Sequence, residues 1–496
     1  MKRQAGVLMP IISLSSEYGI GCFSKEAYEF IDFLKEAKQS FWQILPLGPT
    51  GFGDSPYQSF SSFAGNPYLI SLDDLAEEEL LTKNECRECD FGADEEKIDY
   101  GKLYSERYPL LKKAFMRSSF KESEAYMDFE KNSEYWLDDY ALFMAIKGYF
   151  GGDAVQNWEI NIRMRDEKSI DKFKNMLKEE IDFQKFLQYK FYSQWKKLKK
   201  YANENGIKII GDIPIYTATD SADVWAQPEL FLLDEKLSPS HVAGCPPDGF
   251  SKEGQLWGNP VYNWENHKKN GFSWWIKRLE HCFKMYDVVR IDHFRGFDEF
   301  YMIPSKEKTA VNGKWVKAPG KELFGAIEKA LGKREIIAED LGFITESVKD
   351  LLEFTNFPGM KVLEFAFDSR SSDENNTHLP HNYPENSVCY SATHDNSTLK
   401  GWFKAIPDEC KKKAREYLCD FYTPDDKLNF PFISVLMRSA SYICIIPMQD
   451  YLCLEDCARI NTPSTTGKNW QWRIKKGGLN SHLANEIKLL TKRYSR

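Results

Sequence analysis

Eight short apolar runs punctuate the chain, most of them closing on polar or charged residues. They are AGVLMPI (5–11), SFWQILPL (40–47), KIIGDIPIY (208–216), DVVRIDHF (287–294), EIIAEDLG (335–342), MKVLEFAF (360–367), SVCYSATHD (387–395) and YICIIPMQD (442–450). Runs this short and this rich in Ile and Val read as strands buried on both faces. Between several of them lie stretches with helical periodicity: 25–37, 321–332 and 345–355. Strands alternating with amphipathic helices make a parallel α/β sheet, and eight such units predict a closed (β/α)8 TIM barrel. An open doubly wound sheet is the competing arrangement, but no glycine-rich phosphate loop follows the first run.

The intervals are uneven. About 160 residues separate the second and third runs, and about 70 separate the third and fourth, far beyond an ordinary connection. The reading is one catalytic barrel over 1–496 with two insertions at its C-terminal face. A mostly helical insertion falls at about 73–200, and a loop-rich one rich in Pro, Gly and Trp at about 217–275 covers the active site. After the eighth run about 45 residues remain, too few for a C-terminal β-sandwich domain. The opening MKRQAGVLMPIISLSS imitates a secretion signal, but Pro10 breaks its apolar core and no small-residue cleavage site follows, so it reads as the first strand.

Composition narrows the function. A net charge of −8 argues against nucleic acid or an anionic membrane as partner. No apolar run is long enough to span a bilayer. The eleven cysteines show no disulfide spacing and fit a reducing cytoplasm. Cys86 and Cys89 form half of a zinc-ligand pattern without a second half, and Cys453 and Cys457 are expected on one helical face; all four read as free thiols. Aromatic residues make up 15% of the chain, enough to build a core and leave some rings to stack on a ligand.

In a barrel the chemistry gathers where strands end. Three runs end in acids: Asp292, Glu339 with Asp340, and Asp395, with His293 and His394 adjoining two of them. Two chemistries fit such a ring. One is metal-assisted hydrolysis; the other is glycoside chemistry, with one carboxylate attacking a sugar and another protonating the leaving oxygen. Eight histidines without an H-x-H or H-E-x-x-H spacing speak against the metal, and no metal or other cofactor is expected. Alternation along a strand sets Arg290 beside Asp292, where a cation keeps a nucleophilic carboxylate ionised. Asp212 and Asp223 fit turn or capping roles outside the catalytic core, and His293 and Arg295 are assigned no chemistry.

The stretches RIDHFRG, IIAEDLG and THDN resemble the catalytic regions of the α-amylase clan. The wider pattern resembles the 4-α-glucanotransferases (amylomaltase, disproportionating enzyme) of glycoside hydrolase family 77. It runs through residues 42–70, 211–231 and 243–264, IPMQDYL and NTPSTTGKNWQWR, in order along nearly the whole chain. The resemblance implies a retaining enzyme that moves α-1,4-glucan segments between maltooligosaccharides. Asp292 would be nucleophile, Glu339 acid and base, and Asp395 transition-state stabiliser; in that role Glu339 needs a raised pKa, expected from burial and a nearby Asp395. It implies substrate contacts from Arg290, His394, Tyr57, Ser55, Asp212, Trp257, Asn259 and Gln255. Donors would be maltooligosaccharides and α-1,4-glucans, and acceptors glucose or maltooligosaccharides; a mainly hydrolytic α-glucanase on the same barrel is the alternative. The chain departs from the usual family residues at Cys22, Phe52, Gly249 and Ser464, none of them in the catalytic set.

Overall fold

In the computed structural model, which describes residues 2–51, 53–247, 252–367 and 376–496, each of the eight apolar runs contains a strand. In chain order the strands are β1 (Gln4–Leu8), β2 (Phe41–Gln43), β3 (Lys208–Pro214), β4 (His241–Cys245), β5 (Gln255–Pro260) and β6 (Val288–Asp292). They continue with β7 (Glu299–Pro304), β8 (Lys314–Lys317), β9 (Ile336–Ala338), β10 (Gly359–Val362), β11 (Ser387–Tyr390) and β12 (Ile443–Pro447). Eight of these close a parallel barrel in the order β1-β12-β11-β10-β9-β6-β3-β2, the expected (β/α)8 architecture.

Side-chain alternation divides each barrel strand. Leu8, Ile210, Val288, Ile337, Met360, Val388, Tyr390 and Ile445 form one packed cluster that fills the interior. Their neighbours Val7, Trp42, Ile209, Val289, Ile291 and Ile446 belong to the larger core beneath the helices. The predicted amphipathic stretches are the helices Lys25–Glu36, Gly320–Leu331 and Glu346–Thr355.

The β2–β3 connection is helical from Leu72–Glu77 to the long helix Lys178–Glu204. That last helix buries Phe186, Phe191 and Trp195, and it uses two glutamines to satisfy backbone that no strand pairs. Gln188 accepts from the Gly65 N–H (2.7 Å) and donates to its carbonyl (2.9 Å), and Gln194 does the same at Ser71 (2.7 and 3.3 Å).

A second sheet, antiparallel and ordered β5-β4-β7-β8, stands over the mouth. Its β4 and β5 lie within the stretch read as loop-rich, and β7 and β8 come after β6, beyond that stretch. Periodicity overlooks such strands because they are short and carry Gly244, Gly258 and Pro260. Cys453 and Cys457 do not share a helical face: the helix Met448–Tyr451 ends first, Cys453 turns left-handed (φ 56°), and Cys457 sits in the following turn Asp456–Ala458. Ser464 also has positive φ (62°), the backbone reason a glycine suits that position. Phe52 and Gly249 lie outside the described residues.

His281 joins the helical insertion to the barrel. Tyr192 donates to the Phe63 carbonyl, so it accepts from His281 Nε2–H (2.8 Å), and Nδ1 accepts from the Tyr135 hydroxyl (2.8 Å). Burial, aided by the Lys284 charge, pushes the imidazole down to about 4 from its usual 6.5. The unfolded chain therefore binds a proton at His281 that the native state refuses, so this stability is complete above pH 6.5 and is lost as pH falls toward 4. In denaturant titrations, wild type will lose about 2 kcal/mol more between pH 7 and pH 5 than His281→Phe does.

Candidate active site

Three strands deliver the acids to one side of the barrel mouth. β6 turns Val288, Arg290 and Asp292 inward, and its registers with β3 and β9 set Asp212 opposite Arg290 and Ala338 opposite Ile291. Glu339 follows β9 directly, and its N–H donates to the Ile291 carbonyl (3.0 Å). Asp395 lies in the turn after β11.

The centre is an ion bridge. Arg290 Nη1 meets both oxygens of Asp212 (2.8 and 2.6 Å), and Nη2 donates to Asp292 Oδ1 (2.9 Å). Asp212 is fully buried and Arg290 nearly so, whereas the Asp292 side chain keeps 31% of its exposure and faces the cleft. Burial raises the Asp212 carboxyl, and the guanidinium opposes that rise. Arg290 thus meets the partner expected of it, with a second that the sequence reading does not supply. Asp212 is no turn residue, and its side chain is fully buried: besides Arg290, Tyr57 donates to its Oδ2 (2.9 Å). Asp223 does serve its loop, accepting from the Ser62 N–H (2.8 Å).

Glu339 is held by two backbone donors, His293 N–H on Oε2 (2.7 Å) and Leu341 N–H on Oε1 (2.8 Å). The first exists because His293 is left-handed (φ 54°), a conformation that costs a non-glycine residue roughly 1 kcal/mol. The His293 ring packs edge-on to Trp257 at 4.8 Å, which holds the turn in place. Burial, and next the charge of Asp292, push the Glu339 carboxyl up to about 8 despite those donors. The acidic neighbour responsible is Asp292 across the β6–β9 seam, not Asp395.

Asp395 belongs to a separate cluster. His394 Nε2 lies 3.3 Å from its Oδ1, which also accepts from Asn461 Nδ2 (2.6 Å), and Arg459 donates to its carbonyl (2.6 Å). Tyr57 stacks on His394 at 5.0 Å and 14°, and Trp470 packs against both rings. Asn461, Arg459 and Trp470 went unassigned from sequence. They come from the NTPSTTGKNWQWR stretch and its approach, where nothing local marks which side chains return to the barrel.

The remaining candidates frame the rim. Ser55 accepts from the Tyr57 N–H (3.3 Å), and Gln255 Oε1 accepts from Trp257 Nε1 (3.0 Å). Asn259 donates to the Thr217 carbonyl (2.7 Å) and accepts from Gln58 (2.9 Å), so its amide ties the covering sheet to the Tyr57 loop rather than facing the cleft. Arg295 stacks on Trp315 at 3.8 Å and donates to the Phe343 carbonyl (2.5 Å), pinning the loop after Glu339.

A family model described as 4-alpha-glucanotransferase matches residues 9–480. A 4-alpha-glucanotransferase of Clostridium butyricum is 49% identical over 98% of this chain and 100% of its own. One of Thermus thermophilus is 46% identical over 97% of this chain and 96% of its own. The structure is similar to that of an amylomaltase from Streptococcus agalactiae in complex with acarbose, with TM-score 0.96 and 45% identity over the full length of both chains.

Removing the central cation tests the bridge without any substrate. Arg290→Ala leaves Asp212 a buried charge with only Tyr57 beside it, at a cost of about 3–5 kcal/mol. Thermal unfolding will show the loss, and Arg290→Lys will recover part of it, since one ammonium cannot reproduce the forked contact.

Proposed function

Because the chain belongs to the 4-alpha-glucanotransferases, glycoside hydrolase family 77, and is a glycosyl-transferring enzyme, we propose that its strand-end acids transfer α-1,4-glucan segments by double displacement. Maltooligosaccharides or longer α-1,4-glucans are the donors, and glucose or maltooligosaccharides the acceptors.

In the first half-reaction Glu339 gives its proton to the glycosidic oxygen while Asp292 attacks C1 of the donor sugar. The bond to the leaving chain breaks, and a glycosyl ester forms on Asp292. Arg290 holds Asp292 Oδ1 by a charged hydrogen bond of 2.9 Å for this attack. Asp395, held by His394 and Asn461, accepts the donor sugar's ring hydroxyls and stabilises positive charge on the sugar. In the second half-reaction Glu339 takes the proton of an acceptor 4-hydroxyl, whose oxygen attacks C1 and releases Asp292.

The observation that carries this reading is the electrostatic pairing of the two acids. Asp292 has a cation at 2.9 Å, whereas Glu339 is raised to about 8 by burial and by the Asp292 charge itself. Esterification of Asp292 removes that charge, so the Glu339 pKa falls as it changes from acid to base. The two backbone N–H groups then stabilise the carboxylate that remains. The sheet β5-β4-β7-β8 over the mouth supports transfer over hydrolysis, since an enclosed acceptor site favours a bound sugar over water.

Maltotriose as sole substrate tests the reading. Glucose and longer oligosaccharides will accumulate with the number of glycosidic bonds conserved, and a steady rise in reducing ends would refute transfer. Activity will fall above about pH 8 as Glu339 loses the proton it must donate. Asp292→Asn and Glu339→Gln will each lower kcat by about 10³-fold or more without unfolding the barrel.

A further inference from the structure

The central guanidinium has a third contact that the chemistry above leaves unused. Both oxygens of Asp212 meet one nitrogen of Arg290, Nη1, so that pair is a pivot about which the planar group can turn. The other carboxylate on it is Asp292, through Nη2, and the proposed reaction turns that group into an ester. An ester has no charge to hold a guanidinium, so while the glycosyl-enzyme lasts the plane depends on another anchor.

That anchor is a sulfur. Arg290 Nε donates to Met360 Sδ at 3.3 Å inside the barrel. β6 and β10 are separated in the ring by β9 alone, and alternate strands send their side chains into one interior layer. Met360 is 1% exposed and belongs to the interior cluster with Val288 and Ile337. Arg278 and Arg295 are buried as well, yet their Nε atoms meet no partner among the described residues, so burial alone does not bring such a contact. A thioether is a weak acceptor without charge, and it takes the Nε–H without drawing the cation from its two carboxylates. Met360 is placed in turn by the loop that carries the acid. Its N–H donates to Oδ1 of Asp340 (2.6 Å), the residue after Glu339, and a Cβ on Gly359 would collide with that same carboxylate. A chain of contacts thus runs from the Glu339 loop through Asp340 and Met360 to Arg290 and Asp292. We infer that Met360 is a positioning residue, whose thioether fixes the plane of the Arg290 guanidinium and keeps Nη2 aimed at Asp292 through both half-reactions.

This rests on the role proposed for Asp292, and the test separates the two. Steady-state kinetics on maltotriose and thermal unfolding are measured for Met360→Leu, Arg290→Lys, the double variant Met360→Leu/Arg290→Lys, and Asp292→Asn. Leucine nearly conserves the volume and removes the acceptor, so Met360→Leu is expected to unfold within about 3 °C of wild type. It is expected to lose about five-fold in kcat with KM unchanged. Lysine carries a CH2 where arginine carries Nε–H, so in the Arg290→Lys background Met360→Leu should cost no further activity. If Arg290→Lys turns over too slowly to follow, the same cycle is read in the unfolding temperatures. If Met360→Leu does not fold, Met360→Ile takes its place. A Met360→Leu with wild-type kcat, a loss confined to KM, or an equal further loss in the lysine background overturns the inference. A dead Asp292→Asn beside such a result leaves the role of Asp292 standing, whereas an active Asp292→Asn removes that role instead.

Discussion

The bridge Asp212–Arg290–Asp292 is the constraint on which the rest of the mouth depends. A guanidinium cannot shed its proton, so burying one at the top of a barrel interior demands anions in fixed places. Asp212 is the anion that makes the burial tolerable, and Asp292 is the one left facing the cleft. Tyr57 is fixed by its bond to Asp212, and His394 by its stack on Tyr57, so one pair of charges orients the aromatic wall as well. The same pair separates the two working acids electrically. Arg290 stabilises charge on Asp292, and that charge in turn resists ionisation of Glu339.

Backbone geometry does what side chains alone could not. The left-handed turn at His293 bends the chain just past Asp292 and brings an N–H onto Glu339, so the two carboxyls share one local structure. Asn461 and Arg459 hold Asp395 from a segment more than sixty residues later. The covering sheet then locks to the Tyr57 loop through Asn259 and Gln58. Glu339 and Asp395 are therefore set by contacts from outside their own strands, whereas Asp292 is held by Arg290 of the same strand.

What the sequence made legible follows from which signals are local. Strand periodicity and the acids at strand ends are properties of ten-residue windows, so all eight barrel strands and the three acids could be read directly. Arg290 beside Asp292 was legible for the same reason, being two residues away on one strand. Asp212 was not, because its partner is 78 residues distant and only the barrel register brings them together. Asn461 and Arg459 were hidden likewise, and so was the covering sheet, whose strands come from two separate connections and carry glycine and proline. The expectation that Asp395 raises Glu339 failed because it assumed nearness within a ring, whereas register decides that Asp292 is the neighbour.

Barrel closure has a bearing on when in its life the molecule can act. β1 must wait for β12, which pairs with it from Gln4↔Ile443 to Leu8↔Pro447, and Asp395 must wait for Asn461. During synthesis Asp292 and Glu339 emerge long before the strand that shuts the ring. A chain still growing on the ribosome therefore carries both acids without a finished site. Competence arrives late and all at once.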